Sequence, residues 1–305
     1  MKKTDKIWMD GEVIPWESAT VHVMTHSLHY GSAIFEGIRC YNTERGTMIF
    51  RLDAHLRRLY NSAKIYDITI PYSTDQVASA IKLIIRENRI NECYIRPLVF
   101  YGWDEVGVNP EGNSIHLSIA LWPWLPYLGE QGLKVGVRCK ISSWSRIDPR
   151  SMPTMAKASA NYANSILARV EARKLGYHEA ILLNTNGMVT EGSGENIFIV
   201  RDGAIYTPPH SAGILPGITR DSIIELGRDL GYRVKERNIS RSELLLAEEA
   251  FFTGTAAEVT PIKEIDGHEI GTGSRGTVTE RIQSKFFDIV RGKDSNYAKW
   301  LEPIV

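Results

Sequence analysis

Hydrophobic and polar positions along the 305-residue chain follow two rhythms, a period of two and a period near 3.6, and the switches between them mark the elements. Lys6 to Met9 and Glu12 to Trp16 flank Asp10-Gly11, which predicts an opening hairpin turning at that pair. Thr47 to Phe50 reads as another strand. From Asp53 the spacing becomes helical: Leu56, Leu59, Tyr60 and Ala63 share a face, with Asp53 as cap or first-turn acid. Arg57 and Arg58 lie on this helix, and at most one of them needs to face inward. A second helix follows Ser73 or Thr74, because Val77, Ala78, Ile81, Ile84 and Ile85 recur at three- and four-residue steps. Strands around Cys93 to Tyr101 and Ser114 to Leu121 complete an α+β N-terminal domain over residues 1–121. Residues 122–132, with two prolines and two glycines, read as an interdomain linker.

The second domain, residues 133–305, opens with Leu133 to Ile141. A helix from about Ala160 to Leu175 stops at Gly176, where positive φ is accessible. Strand-like Ala180 to Leu183 leads through Asn186-Gly187 to Met188 to Thr190 and the apolar run Ile197 to Val200, and Asp202-Gly203 marks another hairpin. Residues 213–231 read as a loop and a helix, with Ile223, Ile224, Leu226 and Leu230 on the apolar side and Gly231 as the stop. A last helix from Val278 to Arg291 carries Ile282, Phe286, Phe287 and Val290 inward.

Composition narrows the function classes. Equal numbers of basic and acidic residues, 36 of each, argue against a polyanion-binding surface, so nucleic acid is not expected as a partner. Cys40, Cys93 and Cys139 are far apart and in no metal-ligand or redox spacing, so they read as buried small residues and no metal site is expected. MKKTDKIWMDG has no apolar stretch behind its lysines, and no window approaches 18 apolar residues; the expected setting is the cytoplasm, away from membranes.

Four stretches carry candidate chemistry, and each has a bland alternative. Lys157, in Ser151-Met-Pro-Thr-Met-Ala-Lys157, sits among small and apolar residues between a loop and a helix. Partial desolvation would keep its amine neutral enough to form an imine with an aldehyde, although most lysines are solvated. In Thr190-Glu-Gly-Ser-Gly-Glu-Asn-Ile-Phe198, Glu191 or Glu195 could keep a pyridine-type ring nitrogen protonated; four apart on a strand they point the same way, so local geometry does not choose. Gly213-Ile-Leu-Pro-Gly-Ile-Thr219-Arg220 opens a helix whose first N–H groups, with the Thr219 hydroxyl, make a phosphate seat or a plain cap. Arg57 could add a bidentate counter-charge. Gly254-Thr255-Ala256, after an apolar run, lets a carboxylate approach backbone N–H groups, or simply ends a strand.

Taken in order, these pieces resemble the branched-chain amino acid aminotransferases, pyridoxal-phosphate enzymes of fold type IV in the D-amino acid aminotransferase-like superfamily. The resemblance spans almost the whole chain. It rests on Tyr30-Gly-Ser-Ala-Ile-Phe-Glu-Gly-Ile-Arg39, Phe50-Arg-Leu-Asp-Ala-His-Leu-Arg-Arg58, Tyr94-Ile-Arg-Pro97, the Lys157 region, Thr190-Glu191 through Asn196-Ile-Phe198, Leu215-Pro-Gly-Ile-Thr219 and Gly254-Thr-Ala256.

The resemblance implies an α+β, two-domain fold: a small N-terminal α/β domain and a larger C-terminal domain with a pseudo-barrel. It implies that Lys157 carries pyridoxal 5'-phosphate as an imine, that Glu191 rather than Glu195 faces the ring nitrogen, and that Tyr162 bonds the phenolic oxygen. Arg57, Leu215, Gly217, Ile218, Thr219 and Thr255 would hold the phosphate end. The substrate carboxylate would be held by Thr255 and Ala256 with Tyr94. An apolar pocket of Tyr30, Phe35, Gly37, Trp124 and Tyr127 would take leucine, isoleucine or valine side chains. One methylene there is worth only about 1 to 3 kcal/mol, so sharp discrimination is not expected. Arg96, aided by Tyr30 and Tyr127, would pair with the side-chain carboxylate of glutamate, with Arg39 as an outer contact.

The implied reaction is ping-pong transfer from L-leucine, L-isoleucine or L-valine to 2-oxoglutarate, giving the branched 2-oxo acid and L-glutamate. Family members are homodimers or larger assemblies with the active site between domains, which makes His55, Arg58 and the turn from Trp103 to Val108 candidate interface positions. Rivals on the same fold are a D-amino acid or (R)-amine transaminase and an aminodeoxychorismate lyase, since fold and cofactor do not fix substrate. A rival of another class is a non-catalytic binding protein on the same scaffold, which would show no visible absorbance from a lysine imine.

Overall fold

The computed structural model describes residues 3–124 and 128–304, and the chain divides into two compact units, neither continuous in sequence. One runs to Trp124 and takes in Ala156–Ala160 and the chain from Ile289 onwards; the other comprises Leu125–Met155 and Asn161–Asp288.

In the first unit the expected hairpin is present. Strands Lys6–Met9 and Glu12–Pro15 pair antiparallel around Asp10 (φ 50°) and Gly11 (φ 99°), the double positive φ that an Asp-Gly turn suits. An antiparallel sheet follows the order Leu301–Pro303, Gly46–Phe50, Ile38–Thr43, Cys93–Tyr101, Ile115–Trp122, Lys6–Met9, Glu12–Pro15, and Ala33–Phe35 also pairs with Cys93–Tyr101. Alternation sends Cys93, Ile95 and Val99 into a core with the helices Leu52–Ile65 and Thr74–Glu87, while Tyr94 and Arg96 face the other side. Leu56, Leu59, Ile81 and Ile84 are fully buried in that core, each worth about 1.5–3 kcal/mol.

Helix starts differ in how they are held. Ser73 and Gln76 form a reciprocal capping box, as expected for the second helix. The first helix has Arg51 at its N-cap in the left-handed region (φ 53°), so Asp53 is a first-turn acid and not the cap. Tertiary contacts hold Arg51 there: its N–H donates to Trp300 O (2.7 Å) and its guanidinium lies 5.2 Å from the Trp300 ring. The three cysteines are buried free thiols, and the sheet brings Cys40 directly opposite Cys93 with Sγ atoms 3.2 Å apart.

In the second unit six strands close on themselves. They run Val189–Gly192, Glu179–Leu183, Val137–Ile141, Glu258–Ile265, Glu249–Gly254 and Asn196–Arg201, and Glu191 pairs with Asn196 to shut the ring. This is the pseudo-barrel of the expected α+β fold, filled by Cys139, Ile181, Val189, Ile197, Phe252 and Ile262. Ala204–Thr207 and Arg233–Glu236 extend it beyond the Asp202-Gly203 turn. The stretch Leu133 to Ile141 holds two elements: the end of the helix Gly129–Val135 and the strand that begins at Val137. The last helix is Thr277–Val290, with Ile282, Phe286, Ile289 and Val290 buried and Phe287 only half-buried. Among the described residues no helix is long and apolar enough to cross a membrane.

Candidate active site

Lys157 lies in the short segment Ala156–Ala160, which runs antiparallel to the strand Ala33–Phe35. Phe35 N–H donates to Lys157 O (3.0 Å) and Ser159 N–H to Ala33 O (2.8 Å). On its other side Lys157 N–H donates to Ser62 Oγ (3.0 Å), and the Ser62 hydroxyl donates to Arg58 O (2.9 Å) one turn back on its helix. The main chain beneath the lysine is therefore fixed by a strand and a helix at once. Ser62 was not legible as a site residue; its only signal is the four-residue step from Arg58.

The amine sits 4.9 Å from the Phe35 ring centroid. Burial lowers its pKa most and the Arg58 charge next, with Glu36 and Tyr94 pulling upward and Arg96 adding to the fall; the result is down to about 8. The residue keeps some contact with solvent, so the lowering reflects protein packed around the amine and not complete enclosure.

Behind it is a buried charge cluster. Glu36 Oε1 accepts from Arg58 Nε (2.7 Å), and Oε2 accepts from Arg58 Nη2 (2.8 Å), His55 Nδ1 (2.8 Å) and Gly37 N (3.2 Å). Burial by itself would raise the Glu36 pKa, but the charge and hydrogen bonds of Arg58, then those of His55, hold it well below the usual carboxylate range. His55 shifts the other way from its own partner's pull: burial dominates and lowers its pKa, so Nδ1 of a neutral ring carries the donated proton.

Two expectations change here. Arg57, expected to meet the phosphate, is on the exposed side of its helix, and Arg58 is the arginine turned inward. Arg58 shares a face with His55 and Ser62 through three- and four-residue steps, whereas Arg57 is rotated by about 100° from it. His55 and Arg58, expected as interface candidates, are both buried within this unit.

Phe35, Gly37, Tyr94, Arg96 and Trp124 come together as expected. Tyr94 Oη lies so close over Gly37 that a Cβ there would be 1.9 Å from it. Tyr94 stacks on Trp124 (4.7 Å between centroids) and lies beside Trp122 (5.0 Å), an aromatic wall residue that sequence reasoning missed. The Arg96 guanidinium lies 4.7 Å from the Phe35 ring, 5.3 Å from Tyr94 and 5.5 Å from Trp122, and its Nη2 is 3.4 Å from Tyr94 Oη. Among the described residues Arg96 Nε is buried without a hydrogen-bond partner, a donor suited to an incoming acid. Arg39 is buried over the Tyr41 ring and 3.6 Å from Glu92. Tyr30 is 44% exposed at the end of the helix His26–Tyr30, beside the His26 ring. Tyr127 lies outside the described residues.

The second unit holds the remaining candidates. Glu191 Oε1 pairs with Arg146 Nη2 (2.9 Å), and Oε2 accepts from Asn196 Nδ2 (3.1 Å) and Leu215 N (3.0 Å). Asn196 Nδ2 also donates to Leu215 O (3.1 Å), so carboxylate and loop are tied together. Glu195 is buried too, but its carboxylate folds back onto Gly194 N (3.1 Å). Arg146 was not foreseen and carries no local pattern that would single it out.

The loop ends at Gly217, where a Cβ would come within 1.8 Å of Asn196 Oδ1, so glycine is required by close approach. Helix Ile218–Asp229 starts there with no side-chain cap, and the Thr219 hydroxyl-bearing side chain is buried in its first turn. Thr255 and Ala256 form the turn between Glu249–Gly254 and Glu258–Ile265, and Tyr162 is half-buried at the start of the helix Asn161–Lys174.

Each unit thus carries part of what pyridoxal 5'-phosphate needs. The first offers an amine of reduced basicity and an inward cation; the second offers a buried carboxylate for a ring N–H and an uncapped helix start for a phosphate. The donor set fits the group.

The chain belongs to the class IV amino-transferases, whose family pattern matches residues 33–265. It is 48% identical over 304 residues to the branched-chain-amino-acid aminotransferase of Salmonella typhimurium, covering 99% of this chain and 98% of that one. Among solved structures it is similar to the branched-chain amino acid aminotransferase of Escherichia coli, with TM-score 0.97 and 47% identity over 99% of this chain and 100% of the other. The branched-chain amino acid aminotransferase from Thermobaculum terrenum, solved in its PLP-bound holo form, gives TM-score 0.93 and 37% identity over 100% of both chains.

Proposed function

We infer that this chain transfers amino groups between branched-chain amino acids and 2-oxo acids, with pyridoxal 5'-phosphate as cofactor and ping-pong kinetics. The observation that carries the residue assignment is Phe35, whose ring is flanked by Lys157 Nζ at 4.9 Å and the Arg96 guanidinium at 4.7 Å. One ring lies beside the reacting amine, offers apolar surface to a branched side chain, and abuts a cation for the side-chain acid of glutamate.

When bound, the cofactor supplies an aldehyde for amines and a ring that takes up the electron pair left at the substrate Cα. In our reading Lys157 would hold the cofactor and yield it to the substrate amine, and its Nζ would then carry the proton taken from the substrate Cα. A pKa near 8 leaves a useful neutral fraction of that amine at neutral pH. Glu191, charge-paired with Arg146, accepts the ring N–H. Tyr162 bonds the phenolic oxygen.

Arg58, the inward cation beside Lys157, takes the phosphate role first expected of Arg57 in the first unit; in the second, the N–H groups of Ile218 and Thr219, the Thr219 hydroxyl and Thr255 suit a phosphate. Leu215 and Gly217 shape that loop. Tyr94 and the N–H groups of Thr255 and Ala256 receive the substrate carboxylate. Gly37, Trp124 and Tyr30 line the apolar side, with Arg39 further out.

The same reading carries a homodimer or larger homo-oligomer, which would cover the exposed Trp103, Val106 and Val108. It also carries a cytoplasmic setting, which three buried reduced thiols suit. Leucine and 2-oxoglutarate should give 4-methyl-2-oxopentanoate and L-glutamate. Failure of every branched-chain donor alongside strong turnover of D-alanine, an (R)-amine or aminodeoxychorismate would overturn the reading.

A further inference from the structure

Glu36 and His55 are buried polar groups, yet the reaction as described gives them nothing to do. A buried acid and imidazole are costly to keep, so their arrangement calls for a physical reason. The hydrogen bonds supply one. Glu36 Oε2 receives His55 Nδ1 (2.8 Å), from the helix Leu52–Ile65, and the N–H of the adjacent Gly37 (3.2 Å), and together these fix the carboxylate. That carboxylate in turn grips Arg58 at both Nε (2.7 Å) and Nη2 (2.8 Å), a fork that sets the plane of the guanidinium. His55, Arg58 and Ser62 lie on one helix face, and Ser62 holds the Lys157 main chain, so the orientation of Arg58 is built into the frame that holds the lysine.

We propose that Glu36 and His55 are positioning residues that orient Arg58 to hold the cofactor phosphate. The inference rests on the reading of Arg58 as a phosphate ligand. Arg58 carries a long, flexible stem; anchored at Nε and Nη2, it presents a fixed edge to an anion and loses less freedom on binding. Glu36 also offsets some of the positive charge of Arg58 next to Lys157, which keeps two cations in one buried region tolerable.

The test uses the full-length chain freed of cofactor and titrated with pyridoxal 5'-phosphate or with pyridoxal, following the visible absorbance gained on binding. The ratio of the two affinities isolates the phosphate contribution from any general loosening. We expect Glu36→Gln and His55→Leu to reduce the preference for the phosphorylated form about 10- to 100-fold, the span of one or two charge-assisted hydrogen bonds. Pyridoxal affinity should stay within about threefold of the parent, and His55→Asn, which keeps an N–H toward Glu36, should retain most of the preference.

Equal losses for both ligands would show a merely structural role and overturn the proposal. So would an unchanged preference in Glu36→Gln and His55→Leu while Arg58→Gln abolishes it. An unchanged preference in Arg58→Gln would remove the phosphate reading of Arg58 itself, which separates the two failures. Near-ultraviolet circular dichroism reports folding; if Glu36→Gln does not fold, the His55→Leu and His55→Asn pair decides.

Discussion

Lys157 and Glu191 are both ionisable groups withdrawn from water, and the two units treat them in opposite ways. Around Lys157 burial and two arginines work against the charged form, with Glu36 opposing them only in part. Around Glu191 an arginine and two N–H donors meet the carboxylate directly. The difference matches the proposed roles: an amine must shed its proton to act as nucleophile and base, while a carboxylate facing a ring N–H must keep its charge. Their anchoring differs as well. Lys157 is fixed through its main chain, whereas Glu191 is fixed through its carboxylate.

The sharpest way to break this contrast is to remove the amine. Lys157→Ala should lower kcat by about a thousandfold or more and abolish visible absorbance on cofactor binding, measured by steady-state kinetics and spectra. Glu191→Gln should cost about a hundredfold in kcat with smaller change in KM, because it takes away the charge opposite the ring nitrogen and leaves Arg146 buried without its acid. Retention of more than half the parent kcat in either variant would undo the assignment concerned.

Gly37→Ala tests the substrate face beside Lys157. The new methyl must displace the Tyr94 hydroxyl, so overpacking of about 1 to 3 kcal/mol should appear as a raised KM for amino acids, with pyridoxal 5'-phosphate affinity little changed.

A pH titration of stability sharpens the contrast further. Between about pH 8 and 10.5 the folded, cofactor-free chain holds fewer protons on Lys157 than the unfolded chain does. Stability contributed by this group therefore rises with pH through that window, and is flat below it. Urea unfolding of the parent and of Lys157→Met across the window should differ in slope in that direction; parallel curves would show that the amine is not depressed. The smallest effect belongs to Arg57→Ala, expected within about 0.5 kcal/mol of the parent in stability and with unchanged kcat, as for an exposed helix position.

Periodicity located most elements, since the alternation in Cys93 to Tyr101 and the helical spacing around Leu56 and Leu59 are local consequences of which faces are buried. It left the element type of Leu133 to Ile141 open, because a short apolar-polar alternation does not separate a strand from one turn of amphipathic helix. It also carried no sign that Ala156–Ala160 and the C-terminal segment join the first unit, because strand pairing across such distances leaves no local pattern. The choice between Arg57 and Arg58 was open for a similar reason: a helix face is set by what packs on it, here Glu36 and Lys157.

By itself the sequence determined the chemistry: a lysine among small residues, an acid-bearing strand, a Pro-Gly loop entering a helix, and their order along the chain. Tertiary structure alone decided which arginine turns inward, that Ser62 pins the lysine main chain, and that Arg146 answers Glu191. Covalent neighbours set residue type and local periodicity. Burial, hydrogen-bond partners and charge balance arise only when distant segments pack together, and those are what tune an amine or a carboxylate for its task.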